Sequence, residues 1–460
     1  MTIADGELLF VHLSDIHFGA EGAVLQGPNA AARDRTLEDL ADGFEALGRP
    51  DAILVTGDIA FGGKSDQYAI ATEFLELAAQ AVGIESARVQ VVPGNHDVDW
   101  DKVGYSVQMV RAAIKEEAVY GDSIRADELL HDYLVNDQSD PLFAPMDAYQ
   151  AFAARYDCHV SGEKPYWDQT FKLGKHSQLL MRGLTTSLVS DKTDIKANLL
   201  VGTGQAQIRR PKNAVAMALA HHPPDWWAEA DLSLPMMRDI VSLALFGHKH
   251  TADVSMGNNC VTIVAGAVNP ERHGGWHPEY NWLRLALEDE TGENPALKVS
   301  IWPRRFDQPR NRFMSGGDAG GWEPEENRVG LLRFSSLPPV GLDAVRDAGE
   351  VEMEEAEVSV SNAIHELPEN VVRRTVRTPL EAEDGEIEPR RNVLYDFFRL
   401  GYVQRQQVML QFELLRDGDD ELTLSDLQVA VVERAKEQGT LDALIEAVAE
   451  LVQANDGTRR

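Results

Sequence analysis

Short apolar runs alternate with amphipathic stretches over the first hundred residues. LLFVHL at 8–13, the run at 51–55 and VQVV at 89–92 each read as a strand buried on both faces. Between them, 33–47 places Leu37, Leu40, Phe44 and Leu47 at a helix period, and 67–81 does the same. This β-α-β-α-β order predicts an α/β sheet. Residues 101–166 predict mainly helices, either a cap or a packing element. Strand-like runs resume at 178–181, 214–219, 243–246 and 260–264, and again at 279–287 and 299–302.

After Pro303 the pattern breaks. Gly and charge fill 311–327, and 337–389 is mostly acidic, so a linker is predicted over 311–390. The helix period returns after Arg390, with stripes at Leu394, Phe397 and Phe398, at Val408, Leu410, Phe412 and Leu414, at Leu424, Leu427, Val431 and Val432, and at Leu441, Leu444, Ile445, Val448 and Leu451. Gly401, Gly418 and Gly439 mark the breaks. Three regions follow: 1–310, a linker at 311–390, and a helical bundle at 391–455. A unit of residues 1 to about 310 should fold and act by itself.

The 460-residue chain carries a net charge of −32, which repels nucleic-acid backbones unless cations or a local basic patch intervene. Arg304, Arg305 and Arg310 are either such a patch or a solvated face. Two cysteines argue against a disulfide framework and for a reducing cytoplasm. The first ten residues predict no secretory leader, and no apolar run reaches the roughly 20 residues of a membrane span.

The chemistry sits directly after the apolar runs. In order these are Asp15-x-His17, Gly57-Asp58, Gly94-Asn95-His96-Asp97, His221-His222-Pro223 and Gly247-His248-Lys249-His250. Open α/β sheets bind ligands at the carboxyl ends of their strands. Carboxylate, amide oxygen and imidazole together suit hard divalent or trivalent cations. In an extended D-x-H the two side chains point the same way and could grip one ion, as could His248 and His250. One carboxylate such as Asp58 can bridge two ions about 3.5–4 Å apart. Glycines before Asp58, Asn95 and His248 leave room for close approach. Lys64 and Asp66 follow Asp58 closely enough to reach the rim, or are plain surface residues.

This order and spacing resembles the calcineurin-like metallophosphoesterase superfamily, whose blocks are D-x-H, G-D, G-N-H-D/E, H and G-H-x-H. All five are present and unbroken between about residues 7 and 302. The resemblance implies a four-layer α/β/β/α sandwich with two metal ions (Mn²⁺, Fe²⁺/Fe³⁺ or Zn²⁺). It assigns one ion to Asp15, His17, Asp58 and His250, and the other to Asp58, Asn95, His221 and His248, with His222 second to His221. It makes His96 the catalytic histidine and Asp97 its orienter, and it implies in-line attack on phosphorus by a metal-activated water. DIHFG, GDIAFGGKSDQY and HHPP resemble the cyclic-nucleotide phosphodiesterase branch; nucleases paired with coiled-coil ATPases are another branch.

The C-terminal LYDFFRLGYVQRQQVMLQF and AKEQGTLDALIEAVAEL are similar to the effector-associated adaptor modules of bacterial conflict systems. That resemblance implies docking of a protein partner; a dimerisation or capping element is the alternative. The expected function is phosphodiester hydrolysis on a nucleotide, cyclic nucleotide or nucleic acid. A phosphomonoesterase, or protein phosphatase, and an adaptor with a structural metal stay open. The intact His96-Asp97 pair weighs against the adaptor, since a structural site has no need of it.

Overall fold

The computed structural model describes residues 6–19, 30–120, 122–135, 140–257, 259–269, 277–315, 322–332, 334 and a subset between 408 and 448. The acidic stretch 337–389 and the helix expected around Leu394 and Phe398 lie outside the described residues.

Two sheets form the region between residues 8 and 330. The seven-stranded sheet has the order β12-β11-β10-β1-β2-β3, with β13 also on β11. Its strands are β1 (Leu8–Leu13), β2 (Ala52–Val55), β3 (Val89–Val91), β10 (Glu279–Glu288), β11 (Ala296–Asp307), β12 (Arg312–Ser315) and β13 (Glu325–Gly330). The six-stranded sheet has the order β4-β5-β6-β7-β9-β8. It comprises β4 (Tyr166–Leu173), β5 (Ser177–Leu184), β6 (Ala214–Leu219), β7 (Val241–Phe246), β8 (Asp253–Gly257) and β9 (Cys260–Val264). β1, β2 and β3 are parallel, as are β5, β6, β7 and β9.

Strand alternation sorts the side chains into layers. Phe10 of β1 meets Phe171 of β4 edge to face at 5.4 Å, between the two sheets. Its neighbour Val11 registers with Trp282 of β10, whose ring lies against Gly43 of α1 (Ala30–Leu47), so closely that a Cβ there would fall 2.5 Å from it. In the second sheet, Met217, Leu219, Leu243 and Leu245 join the central core with the first sheet. The alternate residues Ala216, Ala218, Ala244 and Phe246 pack instead with Ile114 of α3 (Tyr105–Tyr120) and Leu130 of α4 (Ser123–Val135). With α2 (Ser65–Ala81) beside α1, the result is the four-layer α/β/β/α sandwich. The region at 101–166 is thus largely packing, its helices forming an outer layer over the second sheet.

The sheet does not stop at residue 310. β12 and β13 both pair with β11, and Val329 is fully buried. The expected boundary at 310 therefore falls inside the sandwich, and the linker cannot begin there. Glu325–Gly330 is a charged edge strand, set by pairing with β11 rather than by an apolar pattern of its own. Of the C-terminal helices, Val408, Met409, Leu414, Val431, Ala435, Leu444 and Val448 form one buried cluster. No helix among the described residues is long and apolar enough to cross a membrane.

Candidate metal centre

Each motif follows a parallel strand, so β1, β2, β3, β6 and β7 all deliver side chains to one end of the sandwich. The loops after β1 and β2 are zipped together: Asp15 N donates to the Gly57 carbonyl (3.1 Å) and His17 N to that of Asp58 (3.0 Å). Within the second sheet Gly247 N donates to the His221 carbonyl (3.0 Å), and the two sheets meet where His248 N donates to Asp15 Oδ2 (3.2 Å).

The side chains converge by a route other than strand alternation. Asp15, His17, Asp58, His248 and His250 all adopt positive φ, between 50° and 71°. Non-glycine residues rarely take this left-handed conformation, and such strain gathers at functional sites. The extended D-x-H and H-x-H geometry expected from the sequence is absent. Left-handed turns aim these residues inward. Gly94 allows a close approach to Asp58, because a Cβ there would sit 2.1 Å from its Oδ1.

All seven expected ligands are brought together. Asp58 Oδ2 lies 3.2 Å from His17 Nε2 and 3.3 Å from His221 Nε2. Its other oxygen accepts from the His96 N–H (2.8 Å). Asp15 Oδ1 is 3.2 Å from His250 Nε2, yet it is buried without a hydrogen bond of good geometry. Three ring nitrogens gather around Asn95 Oδ1: His221 Nε2 (3.1 Å), His222 Nε2 (3.2 Å) and His248 Nδ1 (3.1 Å). A carbonyl oxygen has two lone pairs, too few to accept from all three.

Four sets of potential donors follow, each with its ligand atoms within 4.8 Å of one another. They are Asp15, His17 and His250; His17, Asp58 and His96; Asp15, Asp58 and His221; and His221, His222 and His248. This donor set fits metal ions. Asp15 and Asp58 are buried side by side, which costs free energy unless cations neutralise them. Burial opposes protonation of His221, but the Asp58 charge and hydrogen bond outweigh it and push its pKa up to about 9. His248 goes the other way, to about 3, through burial and the neighbouring His221 charge.

His221 and His222 differ in their second nitrogen. His221 Nδ1 faces the Thr56 carbonyl (2.7 Å), which only accepts, so Nδ1 carries a proton and Nε2 is free to ligate when neutral. His222 Nδ1 faces the Thr186 hydroxyl (2.8 Å), which can donate. That leaves its Nε2–H to hold Asn95 in orientation.

Asp97 is a correction. Its carboxylate accepts from the backbone N–H of Ile59 (3.2 Å), Ala60 (2.9 Å) and Gly94 (2.9 Å) and from the Tyr68 hydroxyl (2.8 Å). It ties the loop after β3 to the loop after β2. Burial first, then the nearby Asp58 charge, raises its pKa to about 6 against those donors. His96 is oriented instead by the Phe61 carbonyl, 2.9 Å from Nδ1, and by the stacked Phe61 ring at 5.0 Å. Sequence reasoning missed Thr56, Phe61 and Tyr68. Tyr68 and the Phe61 ring, both in GDIAFGGKSDQY, act through side chains, whereas Thr56 meets His221 through its carbonyl.

The basic strip is neutralised: Arg304 pairs with Asp39 (2.6 Å), Arg305 with Glu279 (3.0 Å) and Arg310 with Asp307 (2.5 Å). Lys64 pairs with Asp99 and with Asp101 (2.6 Å), and Asp66 is exposed.

The family model described as calcineurin-like phosphoesterase matches residues 8–252, and that of the GTPase-associated adaptor domain matches 389–450. The second match gives the C-terminal adaptor resemblance a more specific name. Over 88 residues the chain is 38% identical to a "Probable cyclic nucleotide phosphodiesterase" of Rhodococcus erythropolis, covering 19% of this chain and 27% of that protein. Over 350 residues it is 24% identical to the "Uncharacterized metallophosphoesterase-like protein YydB" of Bacillus subtilis, covering 71% and 66%. Over 91 residues it is 31% identical to the "Glycerophosphodiester phosphodiesterase GpdQ" of Enterobacter lignolyticus, covering 20% and 30%. The chain thus spans less than two thirds of each of these relatives.

Proposed function

The chain belongs to the calcineurin-like phosphoesterase family, and on that premise we propose that it is a two-metal phosphodiesterase acting on a small phosphodiester such as a nucleotide or cyclic nucleotide. The observation that carries the reading is the shared carboxylate. Asp58 Oδ2 lies within 3.3 Å of both His17 and His221, one from each proposed ligand set. Asp15, His17, Asp58 and His250 would hold one ion, and Asp58, Asn95, His221 and His248 the other. When bound, the ions lower the pKa of a water and offset charge developing on the phosphoryl oxygens.

The protein groups have separate duties. Thr56 fixes the tautomer of His221, and His222 fixes the amide of Asn95. The Phe61 carbonyl accepts a hydrogen bond from His96 Nδ1–H, which leaves Nε2 to exchange a proton with the leaving oxygen. Asp97 keeps the two loops at fixed separation.

Two phosphodiesterase-named relatives support diester chemistry, and the pairing of Arg304, Arg305 and Arg310 with carboxylates disfavours a duplex substrate. The catalytic unit extends to about residue 334, and an adaptor at 389–450 recruits a protein partner. Free thiols at Cys158 and Cys260 suit a reducing compartment such as the cytoplasm.

The test is a rate comparison with Mn²⁺, Fe²⁺ or Zn²⁺ on 3′,5′-cyclic AMP, bis(p-nitrophenyl) phosphate, p-nitrophenyl phosphate and an oligonucleotide duplex. The small diesters should be preferred. Preference for the monoester would make the protein a phosphomonoesterase.

A further inference from the structure

One segment, residues 190–199, joins three parts of the molecule that the catalytic reading leaves unconnected. Its base is fixed from α3. The buried Lys115 pairs with Asp191 (3.1 Å) and Asp194 (2.5 Å), and the buried Arg111 donates to the Ser190 carbonyl. Its far side is stitched to the loop after His222, with Ala197 N on the Asp225 carbonyl (3.1 Å) and Leu199 N on that of Trp226 (3.0 Å). The Trp226 ring packs edge-on to His248 at 4.1 Å.

Lys192 stands exposed on this segment. Its Nζ lies 5.6 Å from the centre of the Trp100 ring, and that ring lies 5.6 Å from His96. Other cations near the rim are neutralised: Lys64 by Asp99 and Asp101, and Lys249 by Asp225 (3.0 Å). Among the described residues, no carboxylate lies within ion-pair distance of Lys192; the carboxylate that feels its charge, Asp101, is paired with Lys64. Three residues on, Ile195 is only 3% exposed, and it is buried among Val408, Met409, Leu414, Val431, Leu444 and Val448 of the C-terminal helices.

We propose that Lys192 is a specificity-determining residue, binding an anionic group carried by the leaving part of the substrate. We propose further that the C-terminal helices hold it in register through Ile195. The inference rests on His96 as proton donor, since the leaving group then lies on the His96 side, under Trp100 and Lys192. The substrate class it names is a phosphodiester whose leaving alcohol bears a second negative charge, as in a dinucleotide.

Two aryl diesters test it, phenyl (4-carboxyphenyl) phosphate and diphenyl phosphate, each assayed with the metal-loaded full chain. Lys192→Met should raise KM for the carboxylated diester about tenfold, the loss of one charged contact. It should leave kcat alone and change the diester without the carboxylate less than about twofold. Lys192→Arg should restore the difference. Ile195→Asp should raise the same KM without loss of bound metal, and circular dichroism should confirm that the chain remains folded. Equal shifts for both diesters, or none, would overturn the role of Lys192. Retained selectivity in folded Ile195→Asp would overturn the contribution of the helices. A parent enzyme that hydrolyses neither diester contradicts the phosphodiesterase reading and this inference with it. One that hydrolyses both, with Lys192→Met unchanged, contradicts this inference alone.

Discussion

Two buried charge clusters lie in the same sandwich, and they are built on opposite plans. Between α1 and β11, Asp39 meets Arg304 Nε at 2.8 Å and Nη2 at 2.6 Å, and the Tyr280 hydroxyl donates to it at 2.6 Å. Trp322 covers the guanidinium at 3.9 Å. Every contact there runs from donor to acceptor, so the pair is closed. At the strand ends, Asp15 and Asp58 face imidazole nitrogens, three more such contacts crowd the amide oxygen of Asn95, Asp15 Oδ1 has no hydrogen bond of good geometry, and five residues are in left-handed backbone. The first cluster neutralises itself and fastens a helix to a sheet. The second gathers more acceptors than donors and has the residue types that could hold cations, with backbone strain at five of its residues.

The contrast can be broken by exchanging the expected effects. His96→Ala should slow turnover roughly 10²–10⁴-fold while metal content stays at the parent value, because only its backbone N–H contacts Asp58. Metal loss in that variant would make the ring a ligand. Arg304→Met removes one partner of a buried pair and should cost roughly 3–5 kcal/mol in urea unfolding. Metal content per folded chain should not change; if it did, the two clusters would be one network.

Stripping metal with a chelator should act only on the open cluster. Restoring an ion to about 100 times its dissociation constant should return roughly 2.7 kcal/mol. No gain on reloading would mean that the donors do not bind it in the folded state. Smaller still is Asp97→Asn, whose amide NH2 would face either the Ala60 N–H or those of Gly94 and Ile59, since these are split between the two carboxylate oxygens, at a cost of roughly 1–3 kcal/mol. Turnover should fall only as far as loop order does. A loss equal to that of His96→Ala would return Asp97 to the chemistry.

Much of the site was legible because its side chains follow directly on apolar strands, which fixes them to one end of the sheets whatever the loops do. What was not legible is how the side chains turn inward. Strand alternation suggested a parallel grip by Asp15 and His17, whereas the backbone reverses hand at both. Asp97 misled for a related reason. Its neighbour in sequence is His96, but its buried carboxylate is claimed by backbone N–H groups that leave no trace in residue identity. In the fold, WDQTFK in β4 and EENRVG in β13 were missed because edge strands carry polar residues on their open face and take their position from a partner strand. The Arg304 pair was read as a surface strip because Asp39 is 265 residues away in the chain.

The central claim is that Asp58 is shared between two ions. Elemental analysis of metal-reconstituted parent and Asp58→Ala tests it most directly. The parent should hold about two ions per chain. The variant, which keeps Asp15, His250 and the three imidazoles around Asn95, should hold one or fewer. An Asp58→Ala protein that still carries two ions would contradict the shared carboxylate and the two-metal reading built on it.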